Sequence, residues 1–275
     1  MFCNKQLLRV AIIFYGFRLT LLNIVAVGLS AIIVDVIMVC SVLILGNLIG
    51  RILKLDIHLI TLTSAGSAIC GAAAVLGTES VLKNQPYKTA IAVSTVVIFG
   101  TISMFLYPLM YKMGWLDLNS QQMGIYIGST IHEVAHVVGA GNALNDIYIA
   151  QNAVIVKMIR VMLLAPFLLI LSLLVDRKNR KKRNLPSKKS KIIIPWFAFG
   201  FIGVIVFNSL IFLPAVLVDV INMVDDFALT MAMTALGVET NFKMFKQSGF
   251  KTFILAFLLF IWLIIGGYSF VKLIC

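Results

Sequence analysis

The chain has 275 residues, of which 61% are hydrophobic and only 12% charged. That leaves too little polar surface to coat a soluble globule of this length, so the composition excludes a water-soluble domain and points to lipid as the main solvent. The net charge of +12 does not indicate nucleic acid as a partner, because nine of the 23 basic residues fall between Arg177 and Lys191. A lone basic block between apolar stretches follows the positive-inside rule and marks a cytoplasmic loop over 176–191.

In chain order, hydrophobic segments are expected at about residues 7–27, 30–52, 59–82, 88–111, 121–145, 149–175, 192–214, 217–238 and 252–274. The first lacks an Ala-x-Ala cleavage pattern and reads as a retained span. Seven are ordinary spans. The third and fifth differ, being rich in Gly, Ser and Ala with polar residues near their middles. Cys3, Cys40, Cys70 and Cys275 show no CxxC spacing, so neither a disulfide framework nor a cysteine metal site is indicated. The expected fold is all-α: one polytopic transmembrane domain over 1–275, with repeat-like halves about 1–113 and 119–275.

A shift of 62 residues lays GSAICGAAAVLG (Gly66 to Gly77) over GSTIHEVAHVVG (Gly128 to Gly139), with six of twelve positions identical. A weaker match, shifted by 221, pairs Leu8 with Leu229, Ala11 with Ala232, Gly16 with Gly237 and Gly28 with Gly249, and sets Arg18 opposite Glu239. Internal repeats of this kind mark secondary transporters, whose sites form where discontinuous helices of two repeats meet. Arg51 and Lys54 precede the third segment and Lys83 and Lys88 follow it, so both its ends read as cytoplasmic. A re-entrant hairpin has that property. If the fifth segment re-enters from the opposite face, both repeats become inverted pairs; the rival is a pair of broken spanning helices.

His132, Glu133 and His136 spell HEVAH, a match to HExxH, which in zinc proteases sets two histidines one helical turn apart with the Glu as general base. Against that reading, no downstream cluster offers a third ligand, and the repeat counterparts are Cys70, Gly71 and Ala74. The blandest alternative is helix glue. An ionisable cluster at membrane depth by default marks a pathway or relay. The favoured reading is a non-enzymatic anion transporter without metal or cofactor. Ser67, Cys70, Gly71, Ser129, Thr130 and His132 line its site, at helix N-termini that the interruptions create. His132 and Glu133 carry the coupling proton. The plain alternative for the two serines is close helix packing. Lys157 and Arg160, at i, i+3, share one face and either attract the anion or pair with Glu133 or Asp146. Arg18 reads as snorkelling to the interface, and Asp35, Asp219, Asp225 and Asp226 as interfacial, with no role.

At GSAICGAAA, GSTIHEVAHVVGAG and LTMAMTALGVETN, and along YKTAIAVSTVVIFGTISMFLYPL and VKMIRVMLLAPFLLILSLL, the chain resembles the YeiH-type sulfate-exporter family over essentially its whole length. The resemblance implies a bacterial inner-membrane carrier moving sulfate, sulfite or sulfonate-like anions outward. The resemblance implies additional N-terminal spans before the segment matching LLRVAIIFYGFRL, so a truncated chain, a naturally minimal one or completion by self-association is the expectation here. Family sequences read HEVAQ where this chain has His136, which sets the zinc protease second.

Overall fold

The computed structural model describes residues 10, 13–18, 20, 28–82, 84–183, 196–211, 213–238 and 242–275. Among them the secondary structure is entirely helical. The helices are α1 (Leu29–Ile52), α2 (Ile57–Ala68), α3 (Ala72–Leu82), α4 (Pro86–Lys112), α5 (Ser120–Thr130), α6 (Val134–Asn142), α7 (Ile147–Met162), α8 (Leu164–Arg183), α9 (Trp196–Leu210), α10 (Ala215–Val238) and α11 (Phe242–Ile274). The repeat match that sets Arg18 opposite Glu239, and most of the segment at 7–27, lie outside the described residues or side chains.

Among the described residues, four stretches are long and apolar enough to cross a membrane: Leu29–Ile52, Pro86–Lys112, Ile147–Arg177 and Phe250–Ile274. They correspond to the second, fourth, sixth and ninth hydrophobic segments. The third and fifth are each split. α2 stops at Ala68 and α3 starts at Ala72, while α5 stops at Thr130 and α6 starts at Val134. The gaps, 69–71 and 131–133, coincide under the 62-residue shift.

Local chemistry sets the ends of these short helices. The Asp56 side chain accepts from the His58 N–H at 2.9 Å and opens α2. Asn119 and Gln122 form a reciprocal capping box at the start of α5. Asp146 accepts from the N–H groups of Tyr148 and Ile149 at the start of α7. The Ser120 hydroxyl also donates to Asp146 at 2.9 Å, and this bond first of all holds the Asp146 carboxyl below its usual range.

Each split segment folds back on itself. A Cβ on Gly66 would lie 2.6 Å from Val75 Cγ2, although residues nine apart on a continuous helix are separated by roughly 13 Å. The two ends of this first hairpin are joined by Lys88 and Asp56, 2.9 Å apart. In the second, α5 advances along α7 in parallel, with Gly124 against Asn152 and Gly128 against Val156. The chain then turns, and α6 returns until Gly141 meets Ala150. Ser120 and Asp146 close its mouth. Between the two mouths runs α4, 27 residues and so roughly 40 Å long. α11 packs against α1, α2, α4 and α5, and α7 packs against α1, α5, α6 and α8.

Candidate functional site

The two hairpin tips meet, and α7 holds them together. Lys157 Nζ donates to the main-chain carbonyls of Ile69 at 2.8 Å and Ile131 at 2.6 Å. Three residues on, Arg160 Nε donates to the carbonyl of Ala68 at 2.6 Å and Nη2 to that of Ser67 at 3.1 Å, while Nη1 binds the carbonyl of Ser129. Both side chains are fully buried. Two cations in a dry interior are tolerable only if their donors are satisfied. Here the acceptors are the carbonyl ends of two helices, where the aligned peptide dipoles leave partial negative charge. The pair is therefore a staple between α2 and α5, not a free cationic surface.

Glu133 makes the reciprocal contact at the other polarity. Its Oε1 accepts from the Ala72 N–H at 3.1 Å, the first amide of α3. The side chain can cross there because residue 71 is glycine. Gly71 has φ +67°, a left-handed conformation, and a Cβ at that position would overlap Glu133 Cγ. Gly71→Ala is expected to lose about 1–2 kcal/mol from backbone strain alone and to expel Glu133 from the α3 terminus. Thermal unfolding of the purified variant checks the first effect, and a hydrogen-exchange increase at residues 71–73 checks the second.

His132 stands one residue before Glu133, 1% exposed, with neither ring nitrogen hydrogen-bonded. His136 lies on α6, with Nδ1 3.8 Å from Glu133 Oε2 and Nε2 3.3 Å from Thr101 Oγ1. The HExxH string thus straddles a helix start, because α6 begins at Val134 and His132 precedes it. The two histidines do not share the helical turn on which zinc-protease geometry depends. Among the described residues no group of three His, Cys, Asp or Glu side chains is placed to hold a metal.

The other residues read from the sequence as lining the site, Ser67, Cys70, Gly71, Ser129 and Thr130, fall at the tips. Ser67, Ser129 and Thr130 end α2 and α5, so what Ser67 and Ser129 offer the junction is carbonyls. The Ser129 and Thr130 hydroxyls turn back to the Tyr126 carbonyl at 3.4 and 2.5 Å, and Ser67 Oγ has no partner. Cys70 and Gly71 form the first tip. Beneath the second, Tyr126 stacks on Tyr107 with ring centroids 4.8 Å apart, and its hydroxyl donates to the Ile264 carbonyl. Sequence reasoning gave no role to Asp35, which is fully buried on α1 with both carboxylate oxygens unpartnered. A lone carboxylate seven residues into an apolar helix was the available signal.

These features define a polytopic α-helical membrane protein built around two facing, interrupted hairpins. The family model described as "Conserved hypothetical protein 698" matches residues 1–256. Over 271 residues the chain is 56% identical to a UPF0324 membrane protein of Bacteroides thetaiotaomicron, covering 98% of this chain and 80% of that one. It is 48% identical over 273 residues to a UPF0324 membrane protein of Bordetella bronchiseptica (99% and 84% covered) and 46% identical over 269 residues to one of Haemophilus influenzae (98% and 78% covered). The chain belongs to this family of UPF0324 membrane proteins, in agreement with its YeiH-type resemblance. No solved structure matches it.

Proposed function

We propose that the protein is a secondary transporter that exports a small oxyanion of the sulfate, sulfite or sulfonate class across the bacterial inner membrane, coupled to protons. The observation that carries this reading is the junction of two hairpin tips, where the Glu133 carboxylate rests on the first amide of α3. A helix N-terminus attracts anions through unpaired N–H groups and the positive end of its dipole. In this reading Glu133 stands where a substrate oxyanion would bind, and an incoming anion competes with it for the same amide. Release of Glu133 exposes a carboxylate able to take up a proton, which links anion and proton movement. The choice of sulfur oxyanions comes from the family resemblance.

The same reading takes the hairpins as an inverted pair, entering from opposite faces and meeting where access alternates. The closure of one mouth by Lys88 and Asp56 and of the other by Ser120 and Asp146, at opposite ends of α4, supports it. Proteoliposomes loaded with labelled sulfate or sulfite and given a pH gradient test the proposal. Saturable, gradient-dependent flux is expected, and none for any sulfur oxyanion contradicts it. The metalloprotease alternative has no observation in its favour, and His136→Gln is expected to leave flux and zinc content unchanged.

A further inference from the structure

Among the described residues, Asp35 is a buried ionisable group that neither the junction nor the anion reading uses. It lies on α1, fully buried, and neither oxygen has a hydrogen-bond partner. Of the helices packed against α1, α7 supplies the charges that act on it, those of Arg160 and Lys157. Among the described residues, no other charged group on α2, α5 or α11 acts on it. Those same two cations donate to five carbonyls of the hairpin tips. The carboxylate and the tips therefore share the field of one pair of cations.

An ionised carboxylate is the stronger acceptor, since charge-assisted hydrogen bonds are roughly twice as strong as those to neutral groups. A neutral carboxylic acid has no such pull. The arrangement observed, with both cations on the carbonyls and the carboxyl group unpartnered, is the one that suits the neutral form. The geometry points to Asp35 as a proton-binding site whose occupancy decides whether Lys157 and Arg160 hold the two tips together or turn to the carboxylate. A metal cation does not suit this place. Hard cations need several oxygen ligands, and the charged neighbours here are themselves cations.

Loss of the proton from Asp35 draws the cations off the carbonyls and frees the tips to move, while its return restores the staple. Asp35 thus acts on the moving parts, apart from Glu133 and His132 at the anion. The inference rests on the transport reading. The test uses full-length protein in proteoliposomes, as wild type, Asp35→Asn and Asp35→Glu, with labelled sulfate as the probe. Sulfate counterflow at equal pH is measured beside net flux driven by a proton or a sodium gradient.

Asp35→Asn, fixed in the neutral form that leaves the staple closed, is expected to lose both counterflow and proton-driven flux, Asp35→Glu to recover part of both, and a sodium gradient to drive nothing. The Asn variant should melt no lower than wild type, because it removes an unpartnered buried carboxylate. Counterflow or proton-driven flux at the wild-type level in Asp35→Asn, or effective drive by sodium, would each overturn the assignment. If wild type itself shows no counterflow, the transport reading fails and this inference with it. If wild type and Asp35→Asn behave alike in both assays, Asp35 alone is misassigned.

Discussion

Replacing Arg160 with methionine is expected to destabilise the protein by about 3–5 kcal/mol, the range found when one partner of a buried charged interaction is removed. The side chain is fully buried and bonds three carbonyls, those of Ser67, Ala68 and Ser129. Methionine fills much of the same volume but donates nothing, so three buried helix-end carbonyls lose their partner. Each bond to a charged donor contributes about 1.5–3 kcal/mol, and shared geometry keeps the sum below three independent bonds. Arg160→Lys keeps the charge but cannot reproduce the planar fork, and should fall between methionine and wild type. Apparent melting temperature in detergent checks the order. Wild-type melting of the methionine variant would mean that Lys157 and packing hold the tips without Arg160.

The second large effect is expected at the other polarity of the junction. Glu133→Gln preserves the length of the side chain and an oxygen able to accept from the Ala72 N–H, so the fold should survive. It removes the negative charge and the capacity to take up a proton. His132→Ala deletes a ring whose nitrogens bond to nothing, so no hydrogen bond is lost with it. Both variants are expected to fold and to lose pH-dependent sulfate flux in proteoliposomes. Glu133→Gln should also bind sulfate more tightly than wild type, because the competing carboxylate is gone. Asp35→Asn should not alter that affinity. Wild-type pH dependence in both Glu133→Gln and His132→Ala would remove these residues from the coupling step.

The breaks were legible in the sequence. Gly-Ser steps repeated 62 residues apart announced two interrupted segments, and both interruptions fall at the matched positions. Segment limits such as 30–52 and 88–111 lie close to Leu29–Ile52 and Pro86–Lys112. The i, i+3 spacing put Lys157 and Arg160 on one face. Their partners were not legible, because the acceptors are main-chain carbonyls and every residue type carries one. Ser67 and Ser129 were singled out for their hydroxyls, whereas position at a helix C-terminus, just before each break, makes their carbonyls the groups that Arg160 uses. Asp35 escaped notice for a different reason. α1 is apolar on its exposed and buried faces alike, so its pattern does not reveal which way residue 35 turns. Charge counting could place His132 and Glu133 together, but only the start of α6 at Val134 separates a hairpin tip from a zinc-binding helix.

The most direct test of the junction as an anion site is a melting-temperature screen of the purified protein against sulfate, sulfite, thiosulfate, sulfonates and dicarboxylates, since a ligand that binds the native state raises its stability. A saturable rise with at least one sulfur oxyanion, shifted to lower concentration in Glu133→Gln, is the predicted result. No rise with any of these anions in wild type or in Glu133→Gln would contradict the account.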